Sequence, residues 1–146
     1  MAKIRIETTK TQRQVSQRWT PELAEEWTPV SDVFLRHYIE LNMTTAEAMF
    51  IILLMSHKWG KEAPYPSFKS LAKRMGVTMT TARGYGRHLE QLGLIHRELR
   101  VDDTNIFHLD HLFTLLENKK KEDDAKKAAN AKRRIAIERA MQADYS

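Results

Sequence analysis

"LAKRMGVTMTTARGYGRHLEQLGLI", residues 71–95, decides how the rest of the chain is read. With Phe68 just ahead of it, the stretch places Phe68, Leu71, Ala72 and Met75 at i, i+3, i+4 and i+7, the spacing of one apolar helical face. Gly76 ends that helix. Thr78 can cap a second one, which runs to about Leu92 and meets Gly93 in the usual stop position. Helices that cross steeply over so short a turn need a small residue where the backbones approach, and a glycine where φ turns positive. Ala72 and Gly76 supply these. The second helix holds two more of the five glycines, Gly84 and Gly86, although each costs about 1 kcal/mol against alanine in a helix interior.

Helical geometry separates the roles of those two glycines. At about 100° per residue, Thr78, Ala82, Tyr85, Leu89 and Leu92 form the inward face, and Thr80, Arg83, Gly84, Arg87 and Gln91 the opposite one. Gly86 falls on the inward margin beside Ala82. The pair is expected to leave room for the Tyr85 ring or to admit a neighbouring helix. Gly84 lies outward between Thr80, Arg83 and Arg87, where a missing side chain suits close approach to a docked surface. The plainer alternative is a tolerated weak spot.

Downstream of Gly93 the period changes. "LIHRELRV" alternates Ile95, Arg97, Leu99 and Val101 against His96, Glu98 and Arg100; "DDTN" is turn chemistry, and "IFHLDHL" resumes an extended pattern. This predicts a β-hairpin, followed by a helix from about Leu112. Upstream, "KEAPYPS" is a connector held extended by two prolines. Before it, Thr44 and Glu47 form a capping box ahead of "AMFIILLMSHKW", a helix apolar on nearly every side and suited to the centre of a small domain. A further helix starts near Ser31 or Asp32, with Val33, Phe34, Tyr38 and Leu41 on one face. The expected fold is mainly α with a small β-hairpin: a winged helix-turn-helix. The boundaries are a basic, flexible N-terminal arm at 1–28 with a short helix from Pro21 to Trp27, the domain at 29–116, and a charged helical or disordered tail at 117–146.

"YPSFKSLAKRMGVTMTTARGYGRHLEQLGLIHREL" with "TNIFHLD" resembles the winged helix-turn-helix domain of plasmid and phage replication initiators and related regulators. Pro66, Ser67, Gly76, Val77, Thr78, Leu92 to Ile95, Asn105, Phe107 and Leu109 match that pattern, and "MTTAEAMFIILL" resembles the family's first helix. The resemblance covers about residues 29–112. The family usually carries β-branched apolar residues where Ala82 and Gly86 stand here.

Charge points the same way. The net charge is +5, and residues 61–100 hold eight Lys/Arg against Glu62, Glu90 and Glu98. Such a field favours polyanions, nucleic acid first. With the second helix of the motif in a major groove, Arg83 and Arg87 suit guanine, Thr80 suits a base edge or a thymine methyl, and Gly84 allows the approach. Tyr65, Ser67, Lys69, Lys73 and Thr78 are expected on phosphate, with Arg100 and Asn105 of the wing. Asp102 and Asp103 at the wing tip oppose insertion into a minor groove and suit a protein contact instead.

Other chemistry is not indicated. The chain has no cysteine, and its longest apolar run, residues 48–55, is far short of the roughly 20 residues a membrane span needs. A cytoplasmic protein without a secretory signal is expected. His108, Asp110 and His111 lack a third clustered ligand, so no metal and no cofactor are expected. No nucleophile–base pair, Gly-rich phosphate loop or paired carboxylates mark an enzyme. Trp19, Trp27 and Trp59 read as packing anchors. Ala128, Ala131 and Ile135 give the tail a short coiled-coil spacing, and Lys132, Arg133 and Arg134 add charge for phosphate or for assembly. The expected partner is double-stranded DNA, read by a homodimer in replication initiation or, by the same binding mode, in transcriptional repression. A winged helix that docks replication or regulatory proteins is the alternative of another class.

Overall fold

The computed structural model describes residues 10–100 and 104–144. Asp102, Asp103 and Val101 lie outside the described residues, so the wing-tip expectation does too. The chain divides into two compact units, Met1–Val30 and Ser31–Ser146. In the first, a helix that the sequence pattern did not announce, α1 (Lys10–Arg18), precedes a short 3₁₀ turn at Leu23–Glu25. That turn is the counterpart of the helix expected from Pro21 to Trp27.

The second unit is built in chain order from α2 (Asp32–His37), α3 (Thr45–Ser56), α4 (Phe68–Met75), α5 (Met79–Gln91), β1 (His96–Leu99), β2 (Asn105–His108) and α6 (Asp110–Ala143). The element boundaries have local causes. Ser31 caps α2 through the Val33 N–H, and Thr44 and Glu47 close the expected capping box on α3. Ser67 accepts from the Ser70 N–H at 3.1 Å and opens α4. Gly76 ends α4 in the left-handed region, with φ 67° and ψ 32°, a conformation that costs a Cβ-bearing residue about 1–2 kcal/mol. Its N–H and that of Val77 turn back to Lys73 and Ala72.

The core lies where α3, α4 and α5 meet the hairpin. Phe50, Phe68 and Phe107, from α3, α4 and β2, pack ring against ring with centroids 5.7–6.4 Å apart. Leu54, Leu71, Leu89, Leu94 and Leu112 are among the fully buried side chains of the same core. The strands pair antiparallel, with His96 opposite His108 and Leu99 opposite Asn105. The connector ahead of α4 lies alongside β2, where the Phe107 N–H donates to the Pro64 carbonyl at 2.9 Å. The hairpin thus sits on the same core as the helix pair and fixes the wing beside α5.

The last helix starts two residues earlier than expected and continues unbroken to Ala143. Its first turns are anchored by Leu112 in the core and by charge. Asp123 accepts from His37 Nε2 at 2.8 Å and pairs with Arg36, while Lys119 pairs with Glu40. From residue 124 onward every described residue is exposed. Among the described residues no helix is long and apolar enough to cross a membrane.

Candidate nucleic-acid interface

Helix α5 rests on α3 and α4 through Ala82, Gly86 and Leu89, which are buried. Of the inward face expected from the sequence, Ala82 and Leu89 hold, and Tyr85 is half-buried with its ring edge-on to Phe50. Thr78 does not belong to that face. It is exposed and acts as the cap, accepting from the Thr81 N–H at 3.1 Å. Of the two expectations for Gly86, the close approach of a neighbouring helix is the one seen. A Cβ there would lie 3.3 Å from Cε1 and Cζ of Phe68, so the glycine makes room for a ring of α4.

The opposite face is open. Thr80, Arg83 and Arg87 are exposed. Among the described residues, and apart from the chain neighbours and nearby backbone of α5, no atom lies within 4 Å of where a Cβ of Gly84 would stand. The spacing i, i+3, i+4, i+7 puts these four residues in one row. Among the described residues neither arginine has a hydrogen-bond or ion-pair partner, so both guanidinium groups are available to a ligand. Met79, at the start of α5, is also exposed and shares this end of the helix with Thr80. An apolar side chain carries no polar-contact signal in the sequence.

The flanks are cationic and hydroxylic. Lys69 and Lys73 are exposed on α4, and Ser67 sits at its N-terminus. On the wing side, the Arg100 guanidinium lies 5.1 Å from the centroid of the exposed Tyr65 ring. Asn105 departs from expectation: it is 7% exposed. A side chain that buried is held in the fold, so phosphate contact is not its role here. On the outer face of the hairpin, His108 Nε2 bonds to Glu98 at 2.7 Å and its ring stacks on His96. These contacts, rather than a ligand set with Asp110 and His111, occupy that histidine. Among the described residues no group of three metal-ligating side chains is present.

An amphipathic helix, a left-handed glycine turn, a second helix with an open cationic face and an antiparallel hairpin thus follow one another on one core. Residues 41–95 match the family model of the helix-turn-helix domain. This part of the chain is a winged helix-turn-helix. Helix-turn-helix domains that bind DNA place their second helix in a major groove. The structure is similar to the N-terminal domain of the DnaD protein from Geobacillus kaustophilus HTA426. The TM-score is 0.56, with 22% identity over 80% of this chain and 96% of that one. At that identity the likeness is one of fold. A second similarity, to MepR of S. aureus in a DNA complex, has a TM-score of 0.42 and 16% identity, over 88% of this chain and 99% of the other. Among curated proteins there is no match.

Proposed function

We propose that this winged helix-turn-helix binds double-stranded DNA sequence-specifically, with α5 in the major groove and no chemistry of its own. One observation carries the reading: Arg83 and Arg87 stand exposed and unpaired, among the described residues, on either side of the open Gly84. In this reading Arg83 and Arg87 contact guanine and Thr80 meets a base edge or a thymine methyl. Tyr65, Ser67, Lys69, Lys73, Thr78 and Arg100 hold the phosphates on both flanks. A single recognition helix covers few base pairs, so a homodimer on paired half-sites completes the site. The biological setting we infer is replication initiation, or control of a plasmid- or phage-like element. It rests on the motif from Pro66 to Leu109 that resembles such initiators.

The experiment is selection of bound sequences from random duplexes, followed by Arg83→Ala and Arg87→Ala. Base readers lose discrimination at defined positions, by about 1–3 kcal/mol each; uniform weakening would make both arginines phosphate clamps. With about five phosphate contacts, log K against log salt should fall with a slope near −4 to −5. A chain that does not bind duplex at low salt overturns the proposal.

A further inference from the structure

Trp59, expected to anchor packing, is 96% exposed. It stands where α3 gives way to the connector, at the edge of a cleft of about 700 Å³ lined also by His57, Lys61, Glu62, Tyr65 and Pro66. That volume is within the range of small-ligand sites. Inside the cleft wall, His57 Nε2 is buried and, among the described residues, has no hydrogen-bond partner. Burial, and after it the nearby charge of Arg74, holds the His57 pKa below its ordinary value. The ring is therefore neutral near pH 7 and offers one donor and one acceptor.

These features specify a ligand chemistry. An indole open to solvent offers a stacking face, and the Tyr65 ring carries the Arg100 guanidinium beside it. A turn of the His57 ring towards the cleft would give its buried, unpartnered nitrogen a hydrogen-bonding edge on the ligand. Lys61 and Arg100 favour an anion, while the Glu62 carboxylate can accept from a base N–H, such as N3–H of thymine. A purely apolar ligand would leave His57 unsatisfied, and an acidic peptide has no flat ring for Trp59. A nucleobase with its phosphate answers to all of them.

We propose that this cleft binds an unpaired base of single-stranded DNA, with the base stacked on Trp59 and its edge on His57. The inference rests on the duplex-binding reading for its placement. Tyr65 lies two residues before Ser67, the cap of α4 expected on phosphate, so the cleft continues that row. A strand that leaves the duplex beside α4 reaches it directly. The protein then recognises a junction between paired and unpaired DNA.

The test compares three probes with the full chain at low salt: a blunt duplex of about 20 base pairs, the same duplex with a single-stranded thymidine overhang, and hexathymidylate alone. The overhang should tighten binding about ten-fold over the blunt duplex. Hexathymidylate should quench the part of the tryptophan fluorescence that Trp59→Phe removes. Trp59→Ala should abolish the gain from the overhang and leave blunt-duplex affinity unchanged. His57→Ala should reduce the gain without changing the fold by circular dichroism. Equal affinity of the wild type for blunt and overhung duplexes overturns the cleft proposal while the duplex reading stands. Quenching by hexathymidylate without any duplex binding supports the cleft and overturns the duplex reading. An overhang gain that survives Trp59→Ala overturns the assignment of this cleft.

Discussion

Gly84 and Gly86 are separated by one residue of α5 and meet different surroundings. At Gly86 an added Cβ would press on the Phe68 ring at 3.3 Å. That ring has little freedom to withdraw, because Phe50 and Phe107 pack on it and the Arg97 guanidinium lies 5.7 Å from its centroid. Gly86→Ala therefore trades a helix-propensity gain of about 1 kcal/mol for an overpacking cost of about 1–3 kcal/mol. The expected net effect is a loss near 1 kcal/mol. Gly84→Ala meets open space and should stabilise by about 0.5–1 kcal/mol. Urea midpoints at constant m separate the two signs. Duplex affinity of the stabilised Gly84→Ala protein then decides whether the gap on the outward face matters. A weaker complex means close approach, and an equal or tighter one means a merely tolerated glycine.

Among the elements, the start of α3 concentrates the polar design. Thr44 Oγ1 accepts from the Glu47 N–H at 3.1 Å, and Glu47 Oε1 accepts from the Thr44 N–H at 3.0 Å. The other Glu47 oxygen bonds to His88 of α5. Burial works against the Glu47 charge, but the Thr44 N–H, His88 and the Thr44 hydroxyl together hold its carboxyl below the ordinary range. Thr44→Ala should cost about 1 kcal/mol. Glu47→Ala should cost more, since it removes the reciprocal cap and the tie to α5 together, and thermal melts of the two variants give the order. The capping box was legible in the sequence because its partners are three residues apart. So were the Gly76 turn, the stop at Gly93 and the period change into the hairpin, all set by local backbone chemistry. The tie from Glu47 to His88 spans 41 residues, and the fit of Gly86 to Phe68 depends on how two helices cross. Neither has a local signature. Exposure misled at Trp19, Trp27 and Trp59, all of them exposed, and at the buried Asn105 for the same reason: residue type gives an average burial, and the local fold then sets the actual one.

For the molecule as a whole, two histidines oppose each other in how stability follows pH. His37, with its side chain 10% exposed, lies between Asp123 of α6 at 2.8 Å and Glu40 at 3.0 Å, and so fastens α2 to the last helix. Bonds to Asp123 first and Glu40 second raise its pKa above 6.5. Stability from a raised histidine is fully present below the unfolded pKa and is lost as pH rises through the folded one. His57 is displaced the other way, by burial and then by Arg74. Its folded form binds protons less readily than the unfolded chain, so it loses stability as pH falls through about 6.5. In the wild type these contributions partly offset each other across neutral pH. His37→Gln keeps a polar side chain but removes the titrating partner of Asp123, and only the His57 trend is left. The variant should gain stability relative to its own acidic value as pH rises from about 5.5 to 8.5, while the wild type stays flatter or declines. Paired thermal melts across that window read the difference directly. Parallel curves for the two proteins would mean that the contact between His37 and Asp123 does not hold α6 on the domain in solution.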